Sequence, residues 1–511
     1  MPRIQTQQER LSAGAAPIVA PVSIPSPVKG WNTRDEFDAM DPLDAVQLDN
    51  WFPDAGGCVV RNGYQPYASG LGSVAVSTLA TLNVNGVNKF LAACGGKIWD
   101  ISSSGTPGSA LASGFTSDQW QTVGFLSKLF FVNGSDTAQI YDGTTISNAS
   151  FTGVTLSTLY GVWQYQQRLF FWQKNSTGFW YAQLNSISGA LAFYDLSAFC
   201  PRGGNLVAMT TSSYDGGNGV LDYAVFIMSS GDALLFTGND PSLSSNWQLI
   251  GEYRISPPVS PRAVTDYGGD SFITTYDDHV TLQQMFTALR LGEMAPRSKV
   301  SKAVQDAVRA NKSAFGWQAL YYPRGRSLIF NIPNTNGTFN QHVCNTGLPT
   351  QPWCQYVNMN AYTWGLYNDL LYFGGASGKV YQADVGNLDN LGPISATSQQ
   401  SWNKLGNGMR KRVSAARPVV QSLGAISYTF KVGFDYSTLN IPIPDVTPGT
   451  GTPWNTSPWN TSPWSSDYIT DPRWRIGGGS GTAVGWGISL AATQPVTWFR
   501  TDIRVEAGNA L

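Results

Sequence analysis

The chain has 511 residues, of which 42% are hydrophobic and only 13% charged, with 54 glycines and a formal net charge of −1. That length suits about two to four domains, and the apolar share excludes a disordered chain. The near-neutral balance supplies no basic field of the kind that marks a general nucleic-acid binder.

Aromatic residues make up 13% of the chain, beside abundant Gly, Ser, Thr and Asn. Aromatic and branched side chains fill pleated surfaces while Gly and Asn supply positive φ, so many short strands joined by tight turns are expected. A helical bundle is not. So few charges on a large surface fit one covered by neighbouring subunits.

Residues 1–30 are polar and then proline-rich, with Pro17, Pro21, Pro25 and Pro27. Proline removes backbone donors and fixes φ, which predicts an extended arm that docks on something larger; a flexible tail fits the same composition. The first apolar run, Ala15 to Val22, is short and broken by Pro17 and Pro21, so no secretory signal is expected. Nowhere do 18 apolar residues run together, so no transmembrane segment is expected either. Residues 31–75 read as an N-terminal β segment joining a second β domain.

Over residues 76–392 one pattern recurs: an apolar strand, a Gly/Asn/Ser turn and a second strand, often closed by an aromatic and Asp. It begins at Leu91, Leu129, Leu169, Ala224, Ser271, Ser327 and Leu370. Successive starts lie roughly 40 to 57 residues apart, near the spacing of β-propeller blades. A small twisted sheet cannot bury both faces alone, and radial packing gives each blade a dry neighbour on either side. The expectation is an all-β chain with an irregular propeller of six to eight blades, the alternative being a sandwich or solenoid of hairpins. One helix interrupts it at 297–312, where Val300, Ala303, Val304, Ala307 and Val308 form a single apolar stripe. Lys299, Lys302, Arg309 and Lys312 lie off that stripe, on a solvated face or one turned to a neighbour or channel.

Residues 393–511 carry further alternating segments from Ile426 and Thr497, read as a second, sandwich-like β domain. Between them a five-residue repeat spaces Trp454, Trp459 and Trp464 evenly in a Pro/Asn/Ser-rich loop, which either packs on a neighbouring domain or forms a contact site. GGGSGTAVGWG from Gly477 lacks the spacing and the strand–helix setting of a dinucleotide loop and reads as a flexible turn between strands. Lys404, Arg410, Lys411, Arg412 and Arg417 form the one basic cluster; such a cluster contacts phosphate, solvates a loop or pairs with acids of a neighbouring subunit.

Catalytic machinery is sparse. The two histidines, His279 in a DDH turn and His342 beside Cys344 in a blade loop, stand near no nucleophile motif and read as surface or hydrogen-bonded residues. No metal-binding motif is present, and no cofactor is expected. Asp277 with Asp278, and Asp35 with Glu36 and Asp38, are the paired carboxylates a glycosidase would need, but nothing sets a second group opposite them. The five cysteines are scattered; Cys344 and Cys354 are close enough in sequence to bond, while buried free thiols of a protein folded in a reducing cytosol fit better.

Residues 26–67 contain a Gly–x–Asn start at Gly30 and Asn32. A P-x-x-A-x-x-L-x-N middle follows at Pro42, Ala45, Leu48 and Asn50, and an Arg–x–Gly close at Arg61 and Gly63. This opening resembles the tail nozzle, or tail hub (tail tubular protein B-like), proteins of short-tailed bacteriophages. Ala361 to Asp384 resembles a blade of their propeller, and the Trp-spaced repeat and the ending VEAGNAL resemble their tail domain. The resemblance implies a non-enzymatic structural protein of the virion tail, assembled in the bacterial host cytoplasm. It implies a homo-oligomer, a hexameric ring docked on the phage adaptor ring, with tail fibres or spikes attached. Double-stranded DNA would pass through the gated channel at genome ejection. From the residues alone, a carbohydrate- or receptor-binding propeller and a propeller-type glycoside hydrolase are the rival readings.

Overall fold

The structure, a computed structural model, describes residues 21–215, 220–283, 298–406, 408–424, 426–445, 469–471 and 473–507. It is an all-β fold: a β-propeller-like arrangement of small sheets, with a separate region of further sheets built from both ends of the chain.

Five of the small sheets begin with a hairpin whose two-residue loop sits at positive φ. Asn85 and Gly86 join Thr78–Val84 to Val87–Ala93; Asn368 and Asp369 join Thr363–Tyr367 to Leu370–Gly374. Such loops match the right-handed twist of the flanking strands, which is why they close tight hairpins. The aromatic–Asp endings do local work as well. Asp100 accepts from the Ser102 N–H and Asp142 from the N–H groups of Thr144 and Thr145, turning the chain toward the next strand.

In chain order, four-stranded antiparallel sheets occupy residues 78–113, 121–148, 159–195 and 206–254. A three-stranded one covers 264–281, and further antiparallel strands follow over 318–356 and 363–383. Their second strands read as continuous apolar runs, such as Leu129, Phe130, Phe131 and Val132, all buried, because neighbouring sheets cover both faces. The dry layers lie between consecutive sheets. Leu82, Leu91 and Ile98 meet Trp120, Leu129 and Phe131; Phe170, Trp172 and Phe179 meet Phe226, Phe236 and Trp247. The leading strands stand side by side in sequence order, and Thr363–Tyr367 returns to lie beside Thr78–Val84. Tyr64–Ala68 then pairs with Val380–Ala383, so a strand from ahead of the repeat completes its last sheet.

The other region is built on Lys411–Ser422 and Val496–Ala507, paired along their whole length and flanked by Val22–Pro25 and Gly57–Val60. Gly392–Gln400, Val484–Ala492 and Tyr428–Phe434 form a second layer. Val413, Ala416, Trp498 and Ile503 of the first layer share one core with Trp486, Ile488 and Leu490 of the second. Asp44–Asp49 ties this region to the repeat, pairing with Gly392–Gln400 and, at Asp49, with Gln355.

The structure bears on three expectations. Residues 22–25 of the expected extended arm form a strand docked on the chain's own sheet, with Ile24 buried opposite Thr501; residues 1–20 lie outside the described residues. The glycine run from Gly477 is not a loop: Arg475–Gly481 and Val484–Ala492 are strands, Gly477 and Gly479 lying where close neighbours leave no room for a Cβ, as at Gly477 against the Val413 backbone (2.6 Å). The helix spans Ser301–Asn311, with Val300, Val304 and Val308 buried; its apolar stripe therefore faces the core, while Lys302 and Arg309 project to solvent and pair with Asp306.

Candidate functional site

The motif residues of the N-terminal segment converge on one junction between the repeat and the terminal sheets. Gly30 adopts φ +88°, and a Cβ there would lie 2.5 Å from the Trp353 backbone nitrogen. Gly63 presses on the Leu388 carbonyl, where a Cβ would come within 2.0 Å. Ala45 and Leu48 are fully buried in the largest core, and the Pro42 carbonyl accepts from Gln400 Nε2 (2.8 Å). Asn32 folds its own loop: its Oδ1 accepts from the N–H groups of Arg34 and Asp35, and its Nδ2 donates to Asp35 and Asp44. Asp44 also meets Lys299 (2.5 Å); burial nevertheless pushes its carboxyl above the ordinary carboxylate range.

Asn50 and Arg61 form the knot. Asn50 sits at φ 59°, donates to the carbonyls of Val357 and Ser395, and accepts from the Val357 N–H and Arg61 Nε. Arg61 is 4% exposed and grips both carboxylate oxygens of Asp389 at 2.8 and 2.7 Å, with further bonds to the carbonyls of Asn62 and Val357. A planar guanidinium is suited to this task, since its fixed fork satisfies a carboxylate and carbonyls together. The arrangement joins chain segments some 300 residues apart and leaves no donor turned toward a ligand. Beside it lies a cavity of about 300 Å³ under the hairpin Trp51–Val60, walled by Tyr356, Met359, Trp364 and Leu371.

The basic residues do not converge. Lys404 pairs with Asp38 (2.6 Å), Arg410 Nε donates to Ser480, and Lys411 turns inward to the Met409 carbonyl, leaving Arg412 exposed on the opposite face of its strand. What sequence reading misses is that strand pairing sets arginines from distant segments on that outer face. Arg412, Arg417, Arg500 and Arg504 share it with Asp502 and Glu506. The guanidinium groups of Arg417 and Arg504 lie 4.8 and 4.6 Å from the Trp474 ring. Burial raises the Asp502 carboxyl, but bonds from Ser23, Arg417 and Arg500 outweigh it and hold it below its ordinary value. Trp454, Trp459 and Trp464 lie outside the described residues.

The histidines are hydrogen-bonded, one of the two expected settings, but their position departs from expectation. Both lie on strands, not at a turn or in a loop, and both are buried: His279 Nε2 meets His342 Nδ1 at 3.1 Å, and Thr274 Oγ1 meets His279 Nδ1 at 3.0 Å. His279 stacks on both Phe330 and Trp353, which also touch each other, while Trp31 packs edge-on against His342. Burial drives both imidazoles well below their usual pKa, His342 to about 3, so these rings are neutral core groups. Of the paired acids, Asp278 is buried and accepts from the N–H groups of Ser298 and His279, and Asp35 is held by Arg34. Among the described residues no group of three His, Cys, Asp or Glu side chains is placed to hold a metal ion, and all five cysteines, Cys344 and Cys354 included, are free and buried.

No protein-family model matches the chain, and no curated protein matches it. Among solved structures, the computationally designed Ika8 protein matches at 10% identity and TM-score 0.36, over 63% of this chain and all of its own. BBS1N, solved in complex with ARL6DN, matches at 12% identity and TM-score 0.40, over 65% of this chain and all of its own. PorZ, a surface component of the type-IX secretion system of Porphyromonas gingivalis, matches at 11% identity and TM-score 0.35, over 68% of this chain and 44% of its own.

Proposed function

We propose that this chain is a structural subunit of a short bacteriophage tail, forming the nozzle ring through which the genome leaves. One observation carries the reading. The residues through which the N-terminal segment resembles nozzle proteins are those that build the junction between the propeller-like repeat and the terminal sheets. A ring subunit that works by geometry needs such a rigid joint, because force delivered to one region must reach the other without the two hinging apart. On this reading the leading strands form a propeller of seven blades, closed by Tyr64–Ala68. The exposed Arg412 and Arg504 on the outer face of Lys411–Ser422 and Val496–Ala507 then meet acidic partners or DNA phosphates, and fibres dock on the remaining faces.

The test is electron microscopy of intact virions labelled with gold-conjugated antibody raised against this chain. Label confined to the tail tip is the expected result. Label on peripheral fibres would move the assignment to receptor binding, and unlabelled virions would overturn it.

A further inference from the structure

Two of the leading hairpins differ from their counterparts in a way that hairpin formation does not require. The hairpins that turn at Asn85–Gly86, Gly268–Gly269 and Asn368–Asp369 use residues that tolerate positive φ. The two consecutive sheets between residues 121 and 195 make the same two-residue turn with Leu126–Ser127 (φ 47° and 58°) and Gln166–Gln167 (φ 45° and 58°). Two pairs of non-glycine residues in a left-handed conformation carry strain that Asn-Gly at the same places would relieve. Strain retained in this way clusters at ligand sites.

Both turns border one open cavity of about 480 Å³. Its polar lining consists of the amides of Gln164, Gln166, Gln167 and Asn185, the hydroxyls of Thr211 and Ser213, and the single carboxylate of Asp222. Phe125, the half-exposed Leu126 and Tyr165 supply apolar surface, and among the described residues no Lys, Arg or His lines the site. Some of this polarity is already organised: Ser213 Oγ donates to Asp222 Oδ1 at 2.6 Å, and Asn185 Nδ2 to Gln167 Oε1 at 3.3 Å. The Gln164 amide and Thr211 hydroxyl make no hydrogen bond within the described residues.

We infer that this cavity is a binding site for a neutral saccharide. Planar amides beside a carboxylate present paired donors and acceptors at the spacing of adjacent sugar hydroxyls, and an apolar patch receives the C–H face of a pyranose ring. The uncompensated Asp222 disfavours anionic ligands, and the absence of a basic side chain disfavours phosphate or sulfate. The volume admits a mono- or disaccharide. The site stands whether or not the chain is a tail protein, because nothing in it depends on a ring.

The test is saturation-transfer NMR on the full chain with D-glucose, D-galactose, N-acetyl-D-glucosamine and maltose. At least one is expected to receive saturation and to be displaced by its own excess. The diagnostic variant replaces Gln166–Gln167 by Asn-Gly. It relaxes the turn, so its melting temperature should be equal to or above that of the parent, while affinity falls by roughly tenfold or more as the Gln167 amide is lost and the Gln166 amide is drawn back by one methylene. Gln164→Ala, at an exposed side chain with no internal bond, should weaken binding with no change in melting. No saturation transfer to any of the four sugars would overturn the inference. So would sugar binding that both variants leave unchanged.

Discussion

Lowering the pH from 7 to 5 should destabilise this chain through its two histidines, by an amount the buried pair allows to be worked out. In the folded chain both imidazoles are neutral, held down by burial, His342 to about 3. In the unfolded chain each regains a value near 6.5. The unfolded state therefore takes up protons that the folded state refuses. Stability is unaffected above pH 6.5 and drains away as pH falls from there toward 3. At pH 5 the gap is about 1.5 units, or about 2 kcal/mol for each ring and about 4 kcal/mol for the pair. Carboxyls raised by burial, such as Asp49 at about 6, act in the opposite sense, so the total alone is not diagnostic. The diagnostic quantity is the difference between the parent and His342→Gln, each unfolded in urea at pH 7 and pH 5 and followed by tryptophan fluorescence. Whatever the substitution costs at pH 7, it removes one titrating ring, and the loss between the two pH values should shrink by about 2 kcal/mol. An identical loss in both proteins would refute the claim that this pair stays neutral in the fold.

Three further outcomes follow from the junction and the core. Arg61→Leu leaves the Asp389 carboxylate without its arginine and Asn50 Oδ1 with only one of its two donors, and should lower stability by about 3 to 5 kcal/mol in chemical denaturation; a loss below 1 kcal/mol would mean the ion pair is not closed in solution. Gly63→Ala places a Cβ 2.0 Å from the Leu388 carbonyl and should lower the melting temperature markedly, whereas Gly56→Ala, in open space, should leave it nearly unchanged. The five cysteines are buried, and burial raises thiols such as Cys58 and Cys344 to about 12. An aromatic disulfide reagent should therefore find none of them in the native chain and all five in urea; rapid reaction of even one native thiol would contradict the packing.

Local pattern made the repeat legible in the sequence, and non-local pairing hid the rest. The hairpins from Leu91, Leu129 and Leu370 are visible because apolar runs, turn residues and terminal Asp lie within about fifteen residues of each other, the range over which β periodicity is written. The helix is equally local, and its stripe of Val300, Val304 and Val308 reads correctly as a buried face. Nothing local announces that Val22–Pro25 pairs with Arg500–Ile503, or that His279 and His342 share a hydrogen bond across 63 residues. The basic cluster misled for a related reason. Neighbours on a strand alternate faces, so Lys411 and Arg412 part company, while Arg417 and Arg504, far apart in sequence, flank the same indole.

The interleaving of the N-terminal segment bears on what the molecule can do mechanically. Between Val22 and Ala68 the chain gives strands in turn to the Val496–Ala507 layer, to Gly392–Gln400 and to the last sheet of the repeat. Separating the two regions would require breaking strand pairs and the Arg61–Asp389 bridge together, since all run through those 47 residues. A linker would let the regions swing; this topology makes them open or hold as one unit. Any gating movement on the nozzle reading must then occur between subunits or within surface loops, not at the joint between the repeat and the terminal sheets. The amides of Gln164, Gln166 and Gln167 lie on a leading hairpin well removed in sequence from that joint, where a bound sugar alters the edge of the repeat and leaves the junction rigid.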